Sequence, residues 1–422
     1  MQLQELNEEK KIEKAVLVGL SCHSFKPEEN SDERTMAELA ALLETAGGEC
    51  VAMTLQNRPA PDARTFIGEG KAEEVKALVD ANEANLVIFD NELSPSQMSN
   101  LEELTGVTVL DRSALILDIF AQRARTGEGK LQVELAQYQY ILPRLSGLGK
   151  SMSRLGGGIG TRGPGESKLE SDRRHIRRRI DKLRADLEQV RAVRAIQRRQ
   201  RQKTEMPLVA IVGYTNAGKS TLLNFLTDAG IEANNRLFDT LDTTTRKKRI
   251  SDTQEILLSD TVGFIRKLPH HLVSAFKATL EELKYADLLL HVIDISDPDW
   301  EIHEQTVNKV IEQLGAKEIP KILVYNKADK CDILPYLEHG SVAISAKTGM
   351  GEQELLSAIE KALGKGKHQM KMLIPYSEGF ALDIIHREAQ VLSVEYAGEG
   401  TIVEAIMDDK LCGQMKEYEI KE

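Results

Sequence analysis

Residues 208–226 read LVAIVGYTNAGKSTLLNFL, and this stretch decides the fold of the central part of the chain. It contains a short apolar run typical of a buried strand, then the pattern GxxxxGKS, then an apolar run of helical character. Glycines let a backbone curl so that its N–H groups and a helix N-terminus point at phosphate oxygens. The order strand, glycine-rich loop and helix therefore predicts a phosphate-binding loop and not a surface turn that matches by chance.

Two side chains of this loop suit a nucleoside triphosphate that carries a divalent cation. Lys219 is long enough to reach the β and γ phosphates, and the hydroxyl of Ser220 suits Mg²⁺. We expect the loop and the first residues of the helix to contact the nucleotide: Gly213, Tyr214, Thr215, Asn216, Ala217, Gly218, Lys219, Ser220 and Thr221.

Three further motifs follow, each after a predicted strand, and together they select GTP over ATP. The carboxylate of DTVG (260–263) can hold Mg²⁺ through water, and its glycine can offer an N–H to the γ-phosphate. In NKAD (326–329) a carboxylate can accept both N1–H and N2–H₂ of guanine, a donor pair that adenine lacks. A backbone N–H of SAK (345–347) can reach guanine O6. The predicted contacts are Asp260, Thr261, Val262, Gly263, Asn326, Lys327, Asp329, Ser345, Ala346 and Lys347.

A polar segment with four threonines, FDTLDTTTR at 238–246, lies between the phosphate loop and Asp260. It has little core to hold it, so it can order around the γ-phosphate and Mg²⁺ and relax after hydrolysis. Thr244 is the favoured metal ligand of this segment and Thr243 the second choice. The predicted metal ligands are therefore Ser220, Thr244 and Asp260, and the predicted catalytic residues are Lys219, Thr244 and Gly263.

The residue directly after DTVG is Phe264. Many GTPases carry a glutamine there to orient the attacking water, and a phenylalanine cannot do so. Three explanations compete: hydrolysis is slow until a partner assists, another residue positions the water, or hydrolysis has been lost. We favour the first, because the other catalytic parts are intact.

Length and composition indicate a soluble protein of about three domains. The chain has 422 residues, 41% of them hydrophobic and 29% charged. No apolar run of about 18 residues is present, and the polar N-terminus is unlike a signal peptide. The cysteines show no paired spacing: Cys22, Cys50, Cys331 and Cys412. We expect a cytoplasmic monomer without a membrane span, in part associated with membranes.

Charge is distributed unevenly along the chain. The formal net charge is -11, yet residues 166–203 contain 14 Lys/Arg and 6 Asp/Glu, so this stretch carries +8 and the remainder about -19. Such segregation indicates contact with a nucleic acid better than the whole-chain charge does. The alternative is a solvated helix face, which is the commoner explanation of a charge run.

The same region predicts an antiparallel helical hairpin. Leu131, Leu135, Tyr138 and Leu142, and then Ile176, Ile180, Leu183, Leu187 and Val190, give two helices one apolar seam each. The segment between them, 146–167, holds eight glycines, and we interpret it as a long basic loop. The predicted RNA-binding residues are Lys150, Arg154, Arg162, Arg173, Arg174, Arg177 and Arg178.

Taken together, the patterns predict a multidomain α/β protein. An N-terminal parallel α/β layer (1–125) precedes the hairpin (126–205), a central P-loop GTPase domain with a doubly wound sheet (206–364), and a small C-terminal α+β unit (368–422). GEGK at 68–71 is too short to indicate a second nucleotide site, and a turn before a helix explains it.

The motifs GYTNAGKS, TLDTTTR, DTVGFIRKLPH and NKAD, preceded by GGGIGTRGPGESKLESDRRHIRRRI, resemble the HflX family of translational GTPases, of the TRAFAC class. The resemblance runs from about Phe66 to Lys347, and the signature at 156–170 is specific to that family. The family usually has proline where Thr243 stands, which leaves Thr244 as the matching switch threonine. Similarity to related GTPases also nominates Asn216 as a ligand of K⁺.

The resemblance implies binding to the ribosomal RNA of the large ribosomal subunit, GTPase activity stimulated by the ribosome, and splitting of stalled or stress-idled ribosomes. Two alternatives stay open at this point. One is a GTPase that acts in ribosome assembly on immature large subunits. The other is an RNA-binding protein that uses GTP only as a structural ligand.

Overall fold

The computed structural model describes residues 12–26, 29–153, 164–202, 206–227, 237–238, 245–250, 255–268, 281–335, 337, 339–364 and 367–420. Contacts divide the chain into two compact units, Met1–Glu352 and Gln353–Glu422. Within the described ranges, no helix combines the length and the apolar character needed to cross a bilayer.

The first unit begins with a four-stranded parallel sheet of order β2-β1-β3-β4. Its strands are β1 (Lys14–Cys22), β2 (Glu49–Arg58), β3 (Leu86–Phe89) and β4 (Thr108–Asp111). Its helices are α1 (Glu33–Ala46), α2 (Glu69–Asn82), α3 (Pro95–Thr105) and α4 (Arg112–Arg123). The predicted parallel α/β layer is confirmed.

Local sequence explains where these helices begin and end. Asp32 and Ser94 form capping boxes, in which each side chain accepts a hydrogen bond from the backbone N–H three residues on. Gly47 ends α1 in the left-handed region, at φ 93°, where a glycine has no steric penalty. Buried apolar residues on both faces of the sheet form its core, as expected for parallel strands covered by helices.

Two long helices form the predicted hairpin: α5 (Gly127–Ser153) and α6 (Pro164–Gln202). Leu135, Ile180, Leu183 and Leu187 are buried in their seam. The guanidinium of Arg179 on α6 donates two hydrogen bonds, of 2.7 and 2.8 Å, to the carboxylate of Glu134 on α5. The seam and this ion pair join the two helices.

The long loop expected at 146–167 is wrong in its extent. Helix α5 continues to Ser153, through Gly147 and Gly149, and α6 begins at Pro164. A glycine inside a helix costs only about 1 kcal/mol, so a helix held by a seam can extend through it. Proline is well suited to the first position of a helix because its missing N–H is not needed there. Residues 154–163 lie outside the described part.

The six-stranded sheet of the first unit has the order β10-β9-β8-β5-β7-β6. Only β6 is antiparallel to its neighbour among the described pairs. The strands are β5 (Leu208–Gly213), β6 (Thr245–Arg249), β7 (Glu255–Asp260), β8 (Leu288–Asp294), β9 (Lys321–Asn326) and β10 (Val342–Ala343). The helices are α7 (Lys219–Thr227) and α8 (Trp300–Gln313). The sheet confirms the predicted α/β class.

Helix α9 (Glu352–Leu363) lies at the end of the predicted GTPase domain, and all of it except Glu352 belongs to the second compact unit. The antiparallel sheet has the order β11-β13-β12, with β11 (Lys367–Pro375), β12 (Gln390–Ala397) and β13 (Gly400–Asp408). The helices are α10 (Gly379–Glu388) and α11 (Asp409–Met415).

Replacement of Leu183 by alanine should lower the free energy of unfolding by about 2–5 kcal/mol, because it removes a fully buried side chain from the hairpin seam. Urea unfolding followed by far-UV circular dichroism measures the change. Val193→Ala on the same helix is the control: its side chain is 55% exposed, and we expect a loss of less than about 0.5 kcal/mol. Equal losses in the two variants would contradict the seam.

Candidate guanine nucleotide site

The phosphate loop lies at the carboxyl end of β5, in the centre of the six-stranded sheet. Gly218 has φ 95°, and a Cβ there would lie 2.2 Å from Nδ2 of Asn326. A side chain at this position would therefore displace the amide that holds the loop. That amide donates a 2.8 Å hydrogen bond to the carbonyl of Ala217. The loop is thus anchored to the strand end that carries the NKAD motif.

Lys219 is buried, and its ammonium donates a 2.7 Å hydrogen bond to the carbonyl of Tyr214. Burial lowers the pKa of Lys219 to about 8. The positive charge of Lys327 also lowers this pKa, whereas the negative charge of Asp260 raises it. A Cβ on Gly263 would lie 3.0 Å from the ammonium, so this glycine keeps the space beside it clear. The geometry places a cation and an N–H donor next to each other, as binding of a γ-phosphate requires.

The hydroxyl of Ser220 lies 2.8 Å from Oδ2 of Asp260. Asp260 is fully buried at the end of β7, and its other carboxylate oxygen accepts a hydrogen bond from the N–H of Thr261. The hydroxyl of Thr261 in turn donates to the carbonyl of Ile211, on β5. Two oxygen donors thus face each other beside the phosphate loop, a donor set that fits a hard cation such as Mg²⁺.

The motif residues expected to recognise guanine converge at the same edge of the sheet. The N–H of Ala346 donates a 3.0 Å hydrogen bond to Oδ1 of Asn326, which links SAK to NKAD. Asp329 is exposed, and a hydrogen bond with Ser345 lowers the pKa of its carboxyl group. An accessible ionised carboxylate is the group that would accept the two guanine N–H donors.

Phe264 is buried and its backbone, not its side chain, reaches the phosphate loop. The N–H of Thr215 donates a 2.7 Å hydrogen bond to the carbonyl of Phe264, and the N–H of Phe264 donates a 3.2 Å hydrogen bond to the carbonyl of Gly213. The ring packs in the core with only 1% of its surface exposed. Its side chain therefore fastens the segment after DTVG to the core and does not face a nucleotide.

His291, next to the loop on β8, is fully buried. Neither ring nitrogen has a hydrogen-bond partner among the described residues. Burial lowers its pKa to about 3, so the ring stays neutral at physiological pH. It lines a cavity of about 400 Å³ beside Thr215 and Asn216.

Tyr214 connects the phosphate loop to the N-terminal sheet, a role that the motif did not reveal. Its hydroxyl donates to the carboxylate of Glu38 on α1 and accepts a 2.8 Å hydrogen bond from the N–H of Arg266. Glu38 also forms an ion pair with Nη2 of Arg112. The other terminal nitrogen of Arg112, Nη1, donates a 2.8 Å hydrogen bond to the carboxylate of Asp90. The guanidinium is almost inaccessible to water.

Lys267, in the segment after DTVG, completes this cluster from the nucleotide side. Its ammonium pairs with Asp90, at the carboxyl end of β3, and lies 3.1 Å from the hydroxyl of Ser31. Burial alone would raise the pKa of Asp90, but Arg112 and Lys267 outweigh it and hold the pKa below its ordinary value. The partners are distant in sequence and belong to no common motif, so no sequence signal pointed to the cluster.

Several predicted site residues lie outside the described part: Thr243, Thr244, Arg154 and Arg162. Lys150 belongs to α5, without a described side chain. Arg174, Arg177 and Arg178 are exposed on α6, and Arg173 is half-buried. These four arginines have no carboxylate partner within the described ranges, and they lie on the hairpin, not in the nucleotide site.

A phosphate loop at the centre of a mainly parallel sheet, with DTVG at the end of the adjacent strand β7 and NKAD at the end of β9, defines a P-loop GTPase. Sequence-family models agree: "GTP-binding GTPase N-terminal" matches residues 33–121, "GTP-binding GTPase Middle Region" residues 123–201, and "50S ribosome-binding GTPase" residues 208–327. The chain belongs to the HflX family of GTPases.

Two relatives show the extent of the similarity. The GTPase HflX of Caldanaerobacter subterraneus is 48% identical over 99% of this chain and 95% of its own length. The GTPase HflX of Escherichia coli is 46% identical over 87% of each. A GDP-bound GTP-binding protein from Sulfolobus solfataricus, a solved structure, is 26% identical, covers 84% of this chain and 99% of its own, and superposes with a TM-score of 0.44.

Asp329→Asn should weaken GTP binding at least about 100-fold, because two hydrogen bonds to a charged acceptor are lost. Affinity for xanthosine triphosphate should rise, since an amide can donate to the extra carbonyl of xanthine. Fluorescent-nucleotide titrations measure both effects. Asp332→Asn, three residues on and exposed, is the matched control and should bind GTP normally. Unchanged GTP affinity in Asp329→Asn would contradict the predicted guanine contact.

The lowered pKa of Lys219 should make nucleotide binding weaken with rising pH. Phosphate binds the protonated ammonium and raises its pKa, so binding is strongest below the free-state pKa of about 8 and falls up to about tenfold per pH unit above it. GDP titrations between about pH 7 and pH 9 measure the fall, with circular dichroism at each pH to show that the fold persists. An affinity that stays constant over this range would exclude the mechanism.

Proposed function

We propose that this GTPase binds the large ribosomal subunit in its GTP form and leaves it after hydrolysis, and that it splits or rescues stalled or idle ribosomes under stress. The observation that carries the proposal is a group of four arginines on α6 that have no carboxylate partner among the described residues: Arg173, Arg174, Arg177 and Arg178. They belong to the same compact unit as the nucleotide site. Arginines that no carboxylate neutralises are suited to RNA phosphates. The family model described as "50S ribosome-binding GTPase" supports the same partner.

The bound nucleotide would be held by the groups already described. The loop N–H groups and Lys219 would bind the phosphates, and Ser220, Asp260 and Thr244 would hold Mg²⁺. The metal would neutralise charge that develops on the phosphate oxygens during transfer. Asp329 and the N–H of Ala346 would orient guanine. By the same resemblance, Asn216 would supply a ligand of K⁺, and exchange of K⁺ for Na⁺ tests this.

Slow hydrolysis without the ribosome follows from Phe264. The buried ring leaves the position after DTVG without a group that can orient water. A partner that supplies such a group, or orders the threonine segment, would accelerate the reaction. The large subunit, docked through α6, is the partner we propose for this stimulation.

The double variant Arg174→Glu/Arg178→Glu tests the docking surface. Both side chains are exposed, so the variant should fold and hydrolyse GTP alone at the native rate. Co-sedimentation with large subunits should weaken. Its affinity should depend less steeply on salt concentration, by the equivalent of roughly two phosphate contacts, and the subunits should no longer stimulate hydrolysis.

Arg64→Glu/Lys76→Glu is the matched control, because it makes the same charge change at exposed positions of the N-terminal layer. It should behave as the native protein. If both double variants lose stimulation equally, a general charge effect explains the result and α6 is not the docking surface. If the native protein hydrolyses GTP rapidly alone and ignores ribosomes, the ribosomal proposal fails while the GTPase assignment stands.

Sedimentation of intact ribosomes distinguishes splitting from assembly. With GTP and the native protein, we expect conversion of whole ribosomes into subunits. Stable whole ribosomes together with binding to immature large subunits would instead support the assembly function.

A further inference from the structure

Among the residues that the structure describes, one edge of the sheet in the second compact unit has no strand paired to it. Strand β11 is covered on its outer side by residues near the end of the chain. Met372 and Glu419 form an antiparallel β-bridge, and the N–H of Ile420 donates a 2.9 Å hydrogen bond to the carbonyl of Lys371. Strand β12, eight residues long, pairs only with β13 among the strands that the structure describes. An open edge offers backbone N–H and C=O groups to another strand.

Two exposed aromatic side chains lie at the end of this edge, and a third lies in the first turn of α10. Tyr396 near the end of β12 is 81% exposed, Phe380 in the first turn of α10 is 74% exposed, and Tyr376 is 60% exposed. The hydroxyl of Tyr376 donates a 2.8 Å hydrogen bond to the carbonyl of Ala397, so this ring lies at the end of β12. Phe380 follows Tyr376 by four residues in the sequence. We call Tyr376, Phe380 and Tyr396 the aromatic corner. Such a group of exposed rings is typical of a binding surface.

The charge around the aromatic corner is negative. Residues 376–400 contain five acidic side chains and one Arg, a net charge of -4 with His neutral. Glu378, Asp383, Glu395 and Glu399 are exposed. Like charges repel, so this surface disfavours RNA phosphates and anionic bilayers and favours a cationic partner.

We propose that the edge of β12 and the aromatic corner bind an extended, Lys/Arg-rich segment of another protein. The segment would pair with β12 as a fourth strand, which supplies affinity through backbone hydrogen bonds. Its cationic side chains would lie against the aromatic rings and the carboxylates, which supplies specificity for basic sequences. The residues of this surface belong to the second compact unit, whereas the nucleotide site and the arginines of α6 belong to the first. The proposal does not depend on the proposed ribosomal function.

The test uses the full chain and a fluorescent ten-residue peptide of alternating Lys and Val, titrated by anisotropy. We expect this peptide to bind, and a Glu–Val peptide of the same length not to bind. A Lys–Pro peptide has the same charge but cannot pair as a strand, so it should bind at least about fivefold more weakly. Equal binding of the Lys–Pro peptide, or binding of the Glu–Val peptide, would overturn the proposal.

Two variants locate the site. Phe380→Ser/Tyr396→Ser removes the two most exposed rings and should weaken Lys–Val binding at least about fivefold. Glu395→Lys/Glu399→Lys reverses charge without touching the rings and should weaken it as well. Tyr285→Ser is the matched control, because its ring is 51% exposed but belongs to the first unit. Native affinity in both double variants, with native circular dichroism, would overturn the proposal.

Other occupants give different results. A single-stranded RNA oligonucleotide, phosphatidylserine vesicles and sedimentation equilibrium of the chain alone serve as probes. If the two double variants abolish binding of RNA or vesicles, or abolish self-association, while the Lys–Val peptide does not bind the native chain, the surface belongs to that occupant and the proposal fails.

Discussion

A guanidinium that is closed to water must be neutralised inside the protein, and Arg112 meets this condition with carboxylates from two elements. Asp90 comes from the end of β3 and Glu38 from α1. The cluster then extends to the nucleotide-binding half through Tyr214 and Lys267. Removal of one charge from such a cluster commonly costs about 3–5 kcal/mol, because another charge is left buried without compensation.

The two sheets of the first unit use their carboxyl ends in opposite ways. In an open parallel sheet this edge is the usual place for a ligand. In the six-stranded sheet it carries the phosphate loop, Asp260 and Asn326. In the four-stranded sheet the corresponding place, beside Asp90, is filled by side chains of the protein itself. The N-terminal layer therefore meets the segment after DTVG directly, through the ion pair between Lys267 and Asp90.

The hydrogen bonds around Phe264 show why one position affects both structure and chemistry. Its backbone joins the segment after DTVG to the phosphate loop in both directions. Its ring is packed in the core, so the segment is anchored, and the side chain directly after DTVG is not a polar group that could orient water. The same buried ring therefore anchors the segment and leaves this one position without a group that can orient water.

Much of this protein was determined by the sequence alone. The apolar runs beside the phosphate loop and the hairpin seam predicted their elements, because each depends on neighbours within a few turns. The motifs predicted the nucleotide class, because each group acts on the ligand from a strand end. Only the tertiary structure showed the full length of α5 through its glycines, since the seam outweighs weak local propensity. It alone also brought Glu38, Asp90, Arg112, Tyr214 and Lys267 together. Because these groups are buried, each charge must be neutralised by another member of the cluster. The five residues are far apart in sequence, so the sequence does not show these pairings.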